Sequence, residues 1–167
     1  MTWTITLEAF EPQKQEGFMS EDHATSHGGA PWHLWVVGVL AVLWNSMGAF
    51  DYFMTQTRNE GYLSRFTPEQ LEYYYGFPAW VVAFWAIAVW GSVLGAVLLL
   101  LRKKLAAGVF LVSFLSMVVT TIYNFGLSNG LEAMGGPGEL AFSAMIFVFA
   151  LLLYLYAKAM KNREVLV

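Results

Sequence analysis

Cysteine is absent from this chain of 167 residues, and both histidine and charged side chains are scarce. Without cysteine the chain has no disulfide, no thiol nucleophile and no cysteine-held cluster. The three histidines, His23, His27 and His33, all precede or open the first apolar run. This placement leaves no imidazole deep in an apolar helix to hold a haem or relay a proton, so we expect no cofactor and no enzyme built on those groups. The net charge of −3 is too small and too evenly mixed to indicate a nucleic-acid partner.

Apolar residues, in contrast, dominate the composition. Hydrophobic residues make up 57% of the chain, aromatic residues 17% and charged residues only 13%, a balance that indicates a lipid bilayer as the main partner. Crossing ~30 Å of hydrocarbon takes ~20 apolar residues in a helix. Four runs reach that length: residues 34–55, 79–101, 105–128 and 140–159. The sequence therefore predicts an all-α membrane protein with a four-transmembrane-helix bundle over residues 33–161.

The segments that flank the bundle are polar. Residues 1–32 carry several acids and no continuous apolar stretch, which predicts a polar tail rather than a cleaved signal peptide. Residues 162–167 form a short C-terminal tail. Seven of the nine basic residues fall on the side of the two tails and of the loop between spans two and three, so both termini are predicted to be cytoplasmic. His23 and His27, four residues apart in the first tail, are a weak metal signal in a solvated segment, and we expect no metal site.

The loop after the first span contains the sequence FTPEQLEYYYGFP, which predicts a short helix. Thr67 is placed as the N-cap, Pro68 as the first helical residue, and Gln70 as the residue that completes a capping box. Gly76 is expected to end the helix. Leu71, Tyr74 and Tyr75 would then face the bilayer, at the depth that tyrosine favours. The helix is interpreted either as an ordinary ordered connection, which we favour, or as a lid over the outer mouth of the bundle.

Polar side chains interrupt the first and third spans. A carboxylate at the centre of a membrane helix costs up to ~3 kcal/mol, which makes Asp51 a candidate functional residue, although its shallow depth leaves structural pairing equally possible. Arg58, two turns further on, is placed to lean back over Asp51 as its counter-ion. The polar stripe of the third span is expected to face that of the first. The predicted polar cavity, open to the outside, is lined by Asn45, Asp51, Tyr52, Arg58, Thr120 and Asn124.

A close-packing motif lies in the second span. Gly91 and Gly95 have the Gly-x-x-x-Gly spacing that lets two membrane helices approach closely. The partner helix is either another span of the same chain or a span of a second copy, and the contacts that any four-helix bundle requires favour the first.

Three stretches resemble a known family. WNSMGAFDYFMTQTRNEGYL, FTPEQLEYYYGFPAWVVAFWAIAVWGSVLGAVLLLLRKK and TIYNFGLS are similar to short bacterial four-span inner-membrane proteins of unestablished function. The resemblance covers roughly residues 33–160. It implies a bacterial inner-membrane location and the same topology, but no catalytic or binding residue. Some of those proteins carry an automated sugar-transporter label.

Two function hypotheses follow. In the first, the chain carries or senses a small polar solute through the outward-facing polar cavity, as a homodimer because four spans alone enclose little space. In the second, it is an accessory or structural subunit of a larger membrane complex, and its polar face only holds helices together. An enzyme ranks third, because the spans offer no catalytic constellation.

Overall fold

The computed structural model describes residues 29–133 and 136–167, and within them every regular element is helical. The predicted polar tail, with His23 and His27, lies almost entirely outside the described residues. The helices are α1 (Trp32–Gln56), α2 (Glu60–Leu63), α3 (Pro68–Tyr75), α4 (Ala79–Leu100), α5 (Leu105–Ile122), a π-helical segment (Tyr123–Leu127), α6 (Gly130–Ala133) and α7 (Pro137–Asn162). The predicted all-α fold class is confirmed.

Four of these helices are long and apolar enough to cross a membrane. They are Trp32–Gln56, Ala79–Leu100, Leu105–Leu127 and Leu140–Asn162, which agree with the predicted spans to within three residues at each end. A helix satisfies its own backbone hydrogen bonds, as a segment in hydrocarbon must. Large apolar side chains such as Leu43 and Met47, 61% and 68% exposed, point away from the bundle, as contact with lipid requires.

The helices pack side by side. α4 packs along both α1 and α5, and α5 also packs along α7. Side chains join α1 to α7: His33 Nδ1 lies 2.6 Å from the Tyr156 hydroxyl, and the Trp44 and Phe149 ring centroids lie 5.0 Å apart. These contacts close the four long helices into a bundle.

The most extensive helix–helix interface lies between α4 and α5, where the two predicted packing glycines are found. A Cβ added to Gly91 would lie 3.2 Å from Ser113 Cβ, and one added to Gly95 would lie 2.9 Å from the Phe110 ring. The Ser113 hydroxyl donates a hydrogen bond of 2.5 Å to the Ala88 carbonyl. The Gly-x-x-x-Gly strip therefore packs against another span of the same chain, the interpretation that the sequence favoured. The same strip contacts Ser113 in the polar stripe of α5. The sequence predicts that this stripe faces the polar stripe of α1 instead.

One end of the bundle, which we call the basic end, holds the α4–α5 turn and residues 163–167. Arg102 takes a left-handed backbone conformation with φ 56°, and its Nε donates to the Val165 carbonyl at 3.1 Å. Val167 N–H donates to the Arg102 carbonyl at 2.6 Å. Leu166 is fully buried in the same core cluster as Leu34 and Leu99. The segment after α7 thus packs onto the bundle and fills this end with apolar side chains.

Candidate functional site

The opposite end, which we call the aromatic end, is covered by α2, α3 and α6. The capping box predicted for α3 is confirmed: Thr67 N–H donates to Gln70 Oε1 at 3.0 Å, and Gln70 N–H donates to Thr67 Oγ1 at 3.3 Å. The helix runs from Pro68 to Tyr75, as predicted, and Gly76 follows it with an ordinary φ of −75°. This local signal fixes the start of α3 and therefore the positions of its tyrosines along the helix.

Aromatic contacts attach the covering segments to the long helices. The Trp85 ring of α4 contacts Tyr52 of α1 (4.9 Å between centroids), stacks on Tyr74 of α3 (6.2 Å) and meets Phe77 edge-on (6.3 Å). Pairs of this kind contribute ~0.5–1.5 kcal/mol each beyond the area they bury. Tyr74, for which the sequence predicts a position facing the bilayer, is half-buried and packs on the Trp85 ring. Tyr75 is exposed at 38%.

Asp51 is held by a residue that the sequence did not single out. The Tyr62 hydroxyl of α2 donates to Asp51 Oδ1 at 2.5 Å. The pKa of Tyr62 is raised to about 12, mainly by burial and secondly by the hydrogen bond to the Asp51 carboxylate. Tyr62 therefore remains a protonated donor at neutral pH, and the pair ties α2 to the end of α1.

Arg58 is not the counter-ion of Asp51 in the described part of the chain. Its guanidinium lies 4.5 Å from the centroid of the Tyr75 ring. The physical reason is local: α1 ends at Gln56, and Arg58, two residues later, has a left-handed backbone conformation with φ 54°. The backbone turns there, so the side chain no longer leans back along the helix as it would if α1 continued.

Asn124 is held by α3. The Tyr73 hydroxyl donates to Asn124 Oδ1 at 3.1 Å and lies 2.8 Å from Ser128 Oγ. Asn124 lies in the π-helical segment, and Ser128 directly follows it. The Ser128 hydroxyl also donates to the Tyr123 and Asn124 carbonyls, at 3.0 Å each. Segments of this kind often mark functional sites, because they widen the helix and redirect side chains. Burial raises the pKa of Tyr73.

The remaining candidate residues bond within their own helices or to aromatic rings. Asn45 Nδ2 donates to the Ala41 carbonyl at 2.8 Å, and Thr120 Oγ1 donates to the Met117 carbonyl at 2.9 Å. Tyr52 packs on Trp85. The six predicted cavity residues thus fall into separate contacts, and the structure does not unite them in one shared cluster. Asp51 with Tyr62 and Asn124 with Tyr73 are two different attachments of the covering segments.

A cleft of about 470 Å³ opens beside the second attachment, and we call it the Tyr73 cleft. Its lining residues are Glu72, Tyr73, Gly76, Phe77, Tyr123, Ser128 and Asn129. None of these residues was predicted as part of the site, although α3, which the sequence predicts, supplies Glu72 and Tyr73 and leads into Gly76 and Phe77. The run Tyr73-Tyr74-Tyr75 does not itself reveal which ring turns inward.

Together, these observations define a four-helix protein of the multi-pass membrane type, with a polar and aromatic cleft at one end. No family model matches the sequence, and neither a curated protein nor a solved structure matches it. The described residues contain no group of three His, Asp or Glu side chains placed to hold a metal ion.

Proposed function

We propose that this protein resides in a bacterial inner membrane, with the aromatic end facing outward, and binds a small polar solute in the Tyr73 cleft, as a carrier or a sensor. The orientation rests on the distribution of basic residues, since Arg102, Lys103 and Lys104 lie at the opposite end. The observation that carries the proposal is the cleft itself, which combines aromatic rings with the polar groups of Glu72, Ser128 and Asn129. Concave sites with this mixture are the usual form of small-molecule sites.

The two ends of the bundle differ in a way that supports access of a solute from the aromatic end. At the basic end, Leu34, Leu99, Ala106 and Leu166 are fully buried, with no exposed surface. At the aromatic end, the cleft is open beside a covering segment that side-chain hydrogen bonds attach to the long helices. A sensor needs only this arrangement, and a carrier would show it in its outward-facing state.

The second candidate, an accessory subunit of a larger complex, is favoured by a different observation. In the described ranges, no buried side-chain nitrogen or oxygen lacks a hydrogen-bond partner. The polar residues inside the bundle are therefore compatible with a purely structural role, in which Ser113 joins α5 to α4 and Asn45 and Thr120 bond within their own helices.

A thermal-unfolding screen of the purified protein in mild detergent tests solute binding. The panel contains sugars, amines and carboxylates. A true ligand should raise the melting temperature of the wild type, and Asn129→Trp, which places a bulky ring at an exposed lining position, should abolish that rise. Gln56→Trp, at an exposed position of the same end outside the cleft, is the matched control and should retain it.

Two results would count against the proposal. One is a panel in which no solute shifts the melting temperature of the wild type. The other is purification from native membranes with a second protein in fixed ratio, together with a shift that persists in Asn129→Trp; this result would favour the accessory subunit.

A further inference from the structure

We propose that the Tyr73 cleft selects an organic ammonium cation, a chemical class that includes free quaternary amines and the headgroups of choline lipids. This inference rests on the proposed function, because it names the solute class for the same cleft. It is carried by the arrangement of rings and charges around the cleft.

Three aromatic rings line the cleft, and the Phe77 ring stands nearly at right angles to both the Tyr73 ring and the Tyr123 ring. The Tyr73 and Phe77 centroids lie 5.0 Å apart with an interplanar angle of 82°, and those of Phe77 and Tyr123 lie 5.7 Å apart with an angle of 86°. In such T-shaped pairs the edge of one ring meets the face of the next, so a cation would meet only the ring faces that remain open toward the cleft. A cation within about 6 Å of such ring centroids is attracted by their quadrupoles, which is how aromatic cages bind quaternary ammonium groups.

These three rings are held in place by contacts behind them. The Tyr73 hydroxyl is fixed by Asn124 and Ser128, and the Trp80 ring contacts Tyr123 at 5.4 Å and 87°. Rings that are already positioned lose little conformational freedom when a ligand binds, so more of the interaction appears as affinity.

The charges at this end favour a cation that comes from outside the chain. Residues 57–78 and 129–133 contain four glutamates and only two arginines, and Glu72 is the charged residue of the lining. Both arginines lie over rings outside the cleft: Arg58 is 4.5 Å from the Tyr75 centroid and Arg65 is 4.6 Å from that of Tyr62. Within the described residues, the cleft rings therefore keep their π-surface free of the chain's own cations.

The lining also distinguishes an organic cation from a metal ion. Calcium and magnesium require several oxygen ligands around one point, whereas this cleft presents a single carboxylate among rings. A methylated ammonium group binds through dispersion and cation–π attraction and needs no such shell. Neutral sugars also stack on rings and can donate hydroxyl hydrogen bonds to Glu72, but they gain no charge attraction from its carboxylate.

Calorimetric titration of the full chain in lipid-free mild detergent tests the assignment. Choline is compared with 3,3-dimethylbutan-1-ol, which has the same shape with a neutral carbon in place of the nitrogen. Choline should bind at least about tenfold more tightly, the ratio that corresponds to ~1.4 kcal/mol of cation–π and charge attraction. Glu72→Gln should weaken choline binding several-fold, whereas Glu69→Gln, which removes the same charge one turn away on α3, should not.

A second arm separates the two sources of the ammonium group. If the native ligand is a lipid headgroup, nanodiscs of phosphatidylcholine should raise the melting temperature of the wild type relative to phosphatidylglycerol, and Glu72→Gln should lose that rise. A free amine would instead bind in detergent and leave the two nanodiscs equivalent. Tyr123→Leu, which removes π-surface but keeps apolar bulk, should weaken binding in either arm.

Failure of this inference is distinct from failure of solute binding. Equal binding of choline and its neutral isostere, or stabilisation by a sugar alone that Asn129→Trp abolishes, would overturn the ammonium assignment and leave solute binding at the cleft intact. If no ligand of any class, free or lipid-borne, binds the cleft, both proposals are refuted.

Discussion

The α4–α5 interface gives the sharpest test of the fold, through the substitution Gly95→Ala. The added methyl group would lie 2.9 Å from one carbon of the Phe110 ring and 3.0 Å from two others, closer than carbon atoms pack. Phe110 is only 3% exposed, so its ring has little room to retreat. Overpacking of this kind costs ~1–3 kcal/mol. Alanine also favours a helix over glycine by ~1 kcal/mol, and this gain must be separated from the clash.

Gly108→Ala in α5 is the matched control, because a Cβ there would meet nothing within 4 Å. The helix-propensity gain is common to both variants, so their difference isolates the clash. We expect the free energy of unfolding in mild detergent to be ~1–3 kcal/mol lower for Gly95→Ala than for Gly108→Ala. Adding Phe110→Leu should make the double variant less destabilised than the sum of the two single ones. Equal stabilities of Gly95→Ala and Gly108→Ala, or a loss of dimer without a loss of stability, would refute packing within one chain.

Three further predictions concern the covering segments and the topology. Thr67→Ala removes the side-chain cap of α3 at a cost of ~1 kcal/mol, so hydrogen exchange over residues 68–75 should quicken while that of the long helices stays unchanged. The raised pKa of Tyr62, about 12 against an ordinary 10.0, means that the unfolded chain releases this proton first. The stability contributed by Tyr62 should therefore be complete below pH 10 and decline between pH 10 and 12, and Tyr62→Phe should show a smaller decline. Reporter fusions after Val167 and within residues 129–133 should report opposite sides of the membrane, and the same side for both would refute the four-span topology.

The elements that sequence predicted well are those with a local or periodic signal. The long apolar runs determined the spans, and the Thr67, Pro68 and Gln70 box determined α3 to the residue, because each signal lies within the segment it describes. α2, with only four residues, has no comparable periodicity, and its N-cap residue, Asn59, was not recognised in the sequence. The sequence therefore predicts this segment only as part of a loop.

The candidate site was harder to predict, because its contacts depend on how the covering segments cross the bundle. Asp51 and Asn124 stand out in the sequence as polar residues within apolar spans. Helix geometry alone suggested that they lie near each other and that Arg58 pairs with Asp51. Their actual partners, Tyr62 and Tyr73, are brought in by turns whose backbone conformations, such as φ 54° at Arg58, leave no periodic pattern. The π-helical segment likewise redirects Tyr123 and Asn124 in a way that a 3.6-residue repeat does not anticipate.

Hydrogen-exchange mass spectrometry of the wild-type chain with and without choline tests ligand binding at the Tyr73 cleft most directly. Slowed exchange confined to residues 72–77 and 123–129 is the result that ligand occupancy of the cleft predicts, and Asn129→Trp should abolish it. Unchanged exchange at saturating choline, or protection that appears instead in the apolar groove between α1 and α4 lined by Phe53 and Trp90, would contradict binding at this cleft.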